Sequence, residues 1–288
     1  MSYRPRRSVL YMPAANARAL AKARTIDCDA IILDLEDAVA PTAKPAAREA
    51  ACEAVRSGRY GYRELVVRVN AVGTAWHEDD LAAVCAAGPD AIAVPKVDSA
   101  EQVRSLVAAM ERLGAPASTR LWAMVETPRA VLDADRILGA SERLEVAVLG
   151  TNDLVNELRA AWTPGRAPLA HALQAVVCAA RANGRVVLDG VYNDVHDREG
   201  LVAECEQGFE WGFDGKTLIH PSQVDVANEI WAPDETAVAE ARELIAAFDE
   251  ALAAGSGVAT FHGRMIENLH VEAAHRTVDM FEAVIRGR

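Results

Sequence analysis

Apolar residues gather along the chain in short dense runs. The runs are S-V-L-Y-M-P (8–13), A-I-I-L-D-L-E-D (30–37), E-L-V-V-R-V-N (64–70), A-I-A-V-P-K-V (91–97), L-W-A-M-V-E-T (121–127), L-E-V-A-V-L-G-T-N (144–152), R-V-V-L-D-G-V-Y (185–192) and G-K-T-L-I-H (215–220). Their length and β-branched content predict strands. The intervals between them read as helices. In S-A-E-Q-V-R-S-L-V-A-A-M-E-R-L-G (99–114), Val103, Leu106, Val107, Met110 and Leu113 follow helical spacing. Ser99 can cap its start with Gln102 three residues on, and Gly114 can end it.

Eight strands, each followed by a helical interval, predict an α/β fold of the (β/α)8 TIM-barrel type. A doubly wound open sheet is the rival. It would use fewer strands, and a nucleotide-binding one would carry a glycine fingerprint after the first; here that turn reads P-A-A-N-A. The alternation stops near W-A-P-D (231–234), so residues 1–232 are read as the barrel and 233–288 as a C-terminal helical arm. Asp234 can cap a helix that runs to Gly255. A last helical pattern sets Leu269, Ala273, Val278, Phe281 and Ile285 on roughly one side. An arm of this size is too small for its own core, so it is expected to pack on its barrel or on a neighbouring subunit.

Composition narrows the partners. The chain has 288 residues, 51% hydrophobic and 25% charged, with a net charge of −12. A diffuse negative surface without a Lys/Arg run argues against nucleic acid. Cys28, Cys52, Cys85, Cys178 and Cys205 are odd in number and form no C-x-x-C, which argues against disulfides or zinc and for a reducing cytoplasm. The first apolar run is too short for a signal peptide, and no segment approaches a membrane span.

Nearly every predicted strand turns polar at its C-terminal end, where barrels carry their chemistry. The ends hold Asp34, Glu36 and Asp37, then Arg68 and Asn70, Lys96, Glu126, Asn152 and Asp153, Asp189, and His220. Taken singly, such a residue more often caps a helix or pairs with an arginine. That bland reading is kept for Asp37, Asp189 and His220 when the spacing alone is weighed. Asp34 and Glu36 share strand parity and could be counter-charges of Arg68 and Lys96. Glu126 and Asp153, expected on adjacent strands, suit Mg2+ or Mn2+, which take oxygen ligands and keep waters; structural ion pairs remain the alternative. Lys96 could form a Schiff base if burial lowered its pKa, or remain an ion partner. No G-x-S-x-G appears and no cysteine sits at a strand end, so triad hydrolysis is unsupported.

These residues carry a resemblance. R-S-V-L-Y-M-P, then I-L-D-L-E-D-A-V with Lys44 and Ala47-Arg48, R-V-N, V-P-K-V, V-E-T-P, G-T-N-D-L and G-F-D-G-K-T-L-I-H-P-S-Q stand in the order found in the citrate lyase beta subunit and malyl-CoA lyase family. The chain resembles these acyl-CoA carbon–carbon lyases over nearly its whole length. The resemblance implies a Mg2+-dependent barrel, a CoA thioester substrate, a homotrimer or hexamer, and a C-terminal arm reaching a neighbouring active site. It implies Glu126 and Asp153 as metal carboxylates, Arg68 beside the reacting thioester or carboxylate, and Glu36 and Asp37 as acids near the metal.

A catalytic acid is implied in the late segment G-R-M-I-E-N-L, where Glu267 stands in place of the family's aspartate and Leu269 in place of its proline. Glutamate keeps the carboxyl group but moves it by about 1.5 Å. Misplacement on that scale can cost ~100-fold, so substrate or reaction can differ. Asn16 stands where many relatives carry an arginine near the CoA phosphates; Arg7 or Arg18 is the expected substitute, with Lys96 a further contact.

The implied reaction is reversible cleavage of malyl-CoA or citramalyl-CoA into acetyl-CoA and a 2-oxo acid. Four other readings stay open. They are a malyl-CoA-type thioesterase, a Schiff-base aldolase using Lys96, a citrate lyase beta subunit acting on an acyl-carrier thioester, and a non-catalytic CoA-ester-binding subunit.

Overall fold

In the computed structural model, which describes residues 4–286, the eight expected strands form one closed parallel barrel in sequence order. They are β1 (Ser8–Pro13), β2 (Ala30–Asp34), β3 (Glu64–Arg68), β4 (Ala91–Val94), β5 (Arg120–Val125), β6 (Leu144–Leu149), β7 (Val186–Asp189) and β8 (Gly215–Leu218). The intervening helices are α1 (Ala17–Ala23), α2 (Lys44–Ser57), α3 (His77–Ala87), α4 (Ala100–Arg112), α5 (Pro128–Leu132), α6 (Ala134–Leu138), α7 (Thr151–Leu158), α8 (Ala170–Ala182), α9 (Arg198–Glu210) and α10 (Val224–Ile230). The predicted face of α4 buries Val103, Leu106 and Met110, and Ser99 Oγ accepts the Gln102 N–H at 3.2 Å.

Strand alternation fixes which side chains fill the barrel. Val9, Ile32, Val66, Ala93, Trp122, Met124, Val146, Val148 and Leu188 form the interior cluster. Ile31, Leu33, Val67, Ile92, Leu121 and Val187 are buried at the opposite parity, beneath the helices. Burial of each such aliphatic side chain stabilises by roughly 1.5–3 kcal/mol. Arg6 fills the N-terminal end, bonded to Glu64 at 2.6 Å and stacked over Trp122 at 5.5 Å.

The inward parity continues to the other rim. In β2 it runs Ala30, Ile32, Asp34, and in β3 it runs Glu64, Val66, Arg68. In β5 it runs Trp122, Met124 and then Glu126, just past the strand. An apolar column ending in a charged residue therefore delivers that charge to the barrel mouth rather than to the core.

By contacts the chain divides into Arg6–Asn228 and a second unit from Glu229 onward. That second unit holds α11 (Glu235–Ala253), a hairpin of β9 (Ala259–Phe261) and β10 (Arg264–Ile266), and α12 (Asn268–Arg286). Asp234 caps α11 through the Ala237 N–H at 2.7 Å, and Gly255 ends it with a left-handed φ of 83°. Phe248, Ile266 and Val271 form its core. Of the expected apolar side of α12, Val278 and Phe281 are half-buried on the face that also buries Val271 and Ala274, whereas Leu269 and Ile285 are 56% and 58% exposed.

Candidate active site

Asp34 and Arg68 are register partners on neighbouring strands. Arg68 donates from Nε to Asp34 Oδ1 at 2.6 Å and from Nη2 to Oδ2 at 2.7 Å, a bidentate fork that fixes the guanidinium plane. Asp34 also accepts the N–H groups of Glu36 at 2.9 Å and Ala38 at 3.0 Å. Burial opposes ionisation of Asp34, but Arg68 and these bonds outweigh it and hold the carboxyl below its ordinary range. The remaining nitrogen, Nη1, faces Glu36 at 3.0 Å and Asp37 at 3.3 Å. The guanidinium lies over the Tyr11 ring at 4.8 Å. Lys44 secures the acidic loop, donating to the Leu35 and Glu36 carbonyls at 2.9 and 2.8 Å and to Asn70 Oδ1 at 2.6 Å.

Glu126 has no such cationic fork. Burial, then the charges of Asp153 and Glu36, push its carboxyl from an ordinary 4.5 up to about 8. Glu36 is raised to about 7, mainly by burial, with Asp37 and Asp34 adding to it against the pull of Arg68. Lys96 meets both members of the acid pair. Its backbone N–H donates to Glu126 Oε1 at 2.8 Å, and its ammonium lies 3.2 Å from Asp153 Oδ1. Gly150 is required beside them, because a Cβ there would collide with the Glu126 carboxylate.

Asp153 corrects one expectation. It lies not on a strand but in the first turn of α7, since β6 ends at Leu149 and the helix begins at Thr151. The N-cap, Gly150, offers no side chain to the first amides of α7. The residues of this helix start, Gly150 to Asp153, line a cavity of about 320 Å3 together with Arg68 and Glu126. Thr151 Oγ1 is buried there without a hydrogen-bond partner. An uncapped helix start of this kind favours an anion. A second cavity, about 620 Å3, is walled by Trp162, Tyr192 and Glu204. Asn152 lines the first cavity, Asn193 the second, and the two exchange amide bonds at 3.1 and 2.8 Å. In the larger cavity Glu204 is bonded to Lys216, and Asp197 accepts from the Tyr192 hydroxyl.

The structure thus gathers Arg68, Glu36, Asp37, Glu126, Asp153 and Lys96 around one mouth. Arg7 is a correction. It precedes β1, at the N-terminal end of the barrel, and is buried with its guanidinium bonded to Asp29 at 2.7 and 2.8 Å. A side chain committed there does not reach a phosphate at the opposite rim. Arg18 lies exposed in the first turn of α1, which Asn16 caps. Asp189 keeps its bland reading, paired with Arg166 at 2.7 Å and Lys216 at 2.9 Å. His220 caps the short turn at Pro221–Gln223.

Glu267 belongs to the second unit, exposed just before α12, its N–H bonded to His270 Nδ1 at 3.2 Å. Tyr11 and Gly150 were not singled out by sequence reasoning. Inward parity just below and beside the acidic ends is the signal that finds them.

Among the described residues no three His, Cys, Asp or Glu side chains converge as a cage. Two carboxylates in an open cavity fit a hard divalent ion that keeps waters or takes substrate oxygens. The raised Glu126 marks negative charge that such an ion would relieve.

The family description HpcH/HpaI aldolase/citrate lyase matches residues 7–221, which take in all eight strands. A (3S)-malyl-CoA thioesterase of Cereibacter sphaeroides (strain KD131 / KCTC 12085) is 45% identical over 280 residues, 97% of this chain and 96% of the relative. A citrate lyase subunit beta of Leuconostoc mesenteroides subsp. cremoris is 34% identical, covering 97% of this chain and 94% of the relative. The solved structure of CitE from Mycobacterium tuberculosis in complex with magnesium, acetoacetate and coenzyme A gives a TM-score of 0.76 at 31% identity, over 96% of this chain and 97% of that one. With the matched span enclosing the whole mouth and the likeness running end to end, the chain belongs to the HpcH/HpaI aldolase/citrate lyase family of enzymes.

Proposed function

We propose that the protein is a Mg2+- or Mn2+-dependent carbon–carbon lyase acting on a 3-hydroxyacyl-CoA that bears a nearby carboxylate. Malyl-CoA and citramalyl-CoA are the first candidates, giving acetyl-CoA and a 2-oxo acid, with condensation as the reverse. The observation that carries the reading is the buried Glu126, raised to about 8 beside Asp153 in a cavity that also holds the fixed Arg68 guanidinium. The relatives support the substrate class: one is named for malyl-CoA, and a solved neighbour carries magnesium, acetoacetate and coenzyme A.

Glu126 and Asp153 would hold the divalent ion, which polarises the hydroxyl and carboxylate oxygens of the substrate when bound. The uncapped amides at the start of α7 would orient the substrate carboxylate. Glu36, near neutrality, would take the hydroxyl proton as the carbon–carbon bond breaks and the 2-oxo acid carbonyl forms. The bond's electron pair moves into the thioester as an enolate, whose oxygen Arg68 would stabilise through Nη1, with Asp37 beside it. Glu267 would protonate the enolate carbon, closing the cycle as acetyl-CoA. Arg18 and Lys96 are the cations we assign to the CoA side of the mouth. We further place the enzyme in the cytoplasm as a homotrimer or hexamer, with the C-terminal arm against a neighbouring subunit. Light scattering tests the assembly.

A second reading is thioester hydrolysis. The 45% identity to a named thioesterase favours it. Incubation of the isolated chain with Mg2+ and (3S)-malyl-CoA, followed by mass spectrometry, decides. Glyoxylate with acetyl-CoA is expected. Malate with free CoA would replace the lyase by a thioesterase, and inertness toward every CoA ester tried would leave the acyl-carrier or purely binding roles.

A further inference from the structure

Lys96 holds a left-handed φ of 52°, which is unfavourable for a residue with a Cβ and no side-chain amide. Strain of this kind persists where surrounding structure demands it. Here the demand is visible. The turned backbone aims the Lys96 N–H at Glu126 Oε1, 2.8 Å away, while the side chain runs to Asp153 Oδ1 at 3.2 Å. One residue therefore grips both acids, by groups of different kinds. The amide is a fixed dipole that an arriving cation need not move. The ammonium is a point charge on a flexible stem, and its side chain is 45% exposed, so a route to water is open. A divalent ion between the two carboxylates would repel it along that route.

We propose that Lys96 is a resident counter-ion for the Glu126–Asp153 cation site. Its ammonium occupies Asp153 while the cation is absent and is displaced when the cation binds, and its amide keeps Glu126 aimed in both states. This makes Lys96 a positioning residue rather than a nucleophile, because its nitrogen is committed to Asp153 at 3.2 Å. The inference rests on the proposal that Glu126 and Asp153 hold a divalent ion.

Two measurements without substrate test it. In the first, Mn2+ affinity is read from the spin-resonance signal of the free ion for wild type, Lys96→Gly and Lys96→Arg. Glycine accepts the positive φ and keeps the amide, so it removes the ammonium alone. The glycine variant should bind Mn2+ about two- to fivefold tighter, the range set by removing one solvent-exposed competing ion pair. The arginine variant, which restores the cation, should return to the wild-type value. In the second, the intact wild-type enzyme is acylated with an amine-reactive ester and Lys96 modification is followed by mass spectrometry. Adding Mg2+ should raise labelling at Lys96.

Unchanged or weaker Mn2+ binding in Lys96→Gly overturns the counter-ion role, as does labelling that Mg2+ leaves flat or lowers. If wild type itself binds no Mn2+ at millimolar concentration, the cation site falls and the counter-ion role with it.

Discussion

Replacing Glu126 by glutamine should make the metal-free protein more stable at alkaline pH, and the size of the effect follows from the burial of that carboxyl. Glu126 titrates at about 8 in the fold against an ordinary 4.5, because burial and then the Asp153 and Glu36 charges disfavour its ionised form. The folded state thus holds this proton more tightly than the unfolded chain does. Stability from that proton is complete below the unfolded value and is lost as pH rises toward about 8. At about 1.4 kcal/mol per pH unit the full span is on the order of 5 kcal/mol, and relaxation of the neighbouring acids lowers it to about 3. For a chain of this size that is roughly 6–10 °C in melting temperature.

Glutamine carries no such proton. In EDTA, Glu126→Gln should melt close to wild type near ~pH 5 and above it by that margin near ~pH 8.5. Mg2+ should restore wild type at the alkaline end and leave the variant unmoved. Glu36, raised to about 7, tilts both proteins, and because its charge couples to Glu126 the difference between the two curves reports Glu126 together with that coupling. Parallel curves across the whole range, or an equal Mg2+ response in the two proteins, would refute the reasoning.

Three further outcomes are expected. Arg68→Lys keeps a charge but loses the fork on Asp34, so kcat should fall by about 100-fold or more while Mn2+ binding holds, measured by product formation beside spin resonance. Gly150→Ala drives a methyl into the Glu126 carboxylate and should weaken Mn2+ binding by about tenfold or more, read by titration calorimetry on a variant checked by circular dichroism. Glu267→Gln should lower turnover by about 100- to 10,000-fold without touching Mn2+ affinity, whereas Glu267→Asp, which retains the carboxyl but shifts it, should lose no more than about 100-fold.

The barrel was legible because each strand is a short β-branched run and each interval carries a helical face. The strand ends were read too long, and a local bond explains why. Beyond Ile32 the alternation of β2 continues through Asp34 and Glu36, so periodicity alone sees more strand. Asp34 instead captures the N–H groups of Glu36 and Ala38, which turns the chain out of the sheet. At the end of β6 the glycine at 150 frees the chain to start a helix at once, moving Asp153 off the strand while leaving it at the mouth. Arg7 was misplaced because sequence spacing does not tell which rim an arginine before a first strand serves; the answer lay in Asp29, at the same end of β2. The α12 stripe holds only through its middle, where Val278 and Phe281 share a face with the buried Val271 and Ala274, while Leu269 and Ile285 lie exposed toward the helix ends.

The three inward columns that end in charge distinguish a compensated acid from an uncompensated one. Asp34 stands opposite Arg68 in register, so burial of one charge is met by the other through a two-point bond. That arrangement needs nothing from outside. Glu126 is buried to a similar degree, at 2% exposure against 1% for Asp34, yet beside it stands Gly150. A barrel shaped only for stability would set a cation there, as it does for Asp34, since an uncompensated buried carboxylate is among the costlier features a fold can hold. The glycine at 150 makes way for the Glu126 side chain and brings no cation of its own, and Asp153 adds a second negative charge, met by a half-exposed lysine. Space and unbalanced charge in the same place are what a hard divalent ion and the oxygens of a hydroxy acid would fill. The Asp34–Arg68 pair next to it supplies a rigid positive edge on which an enolate could form.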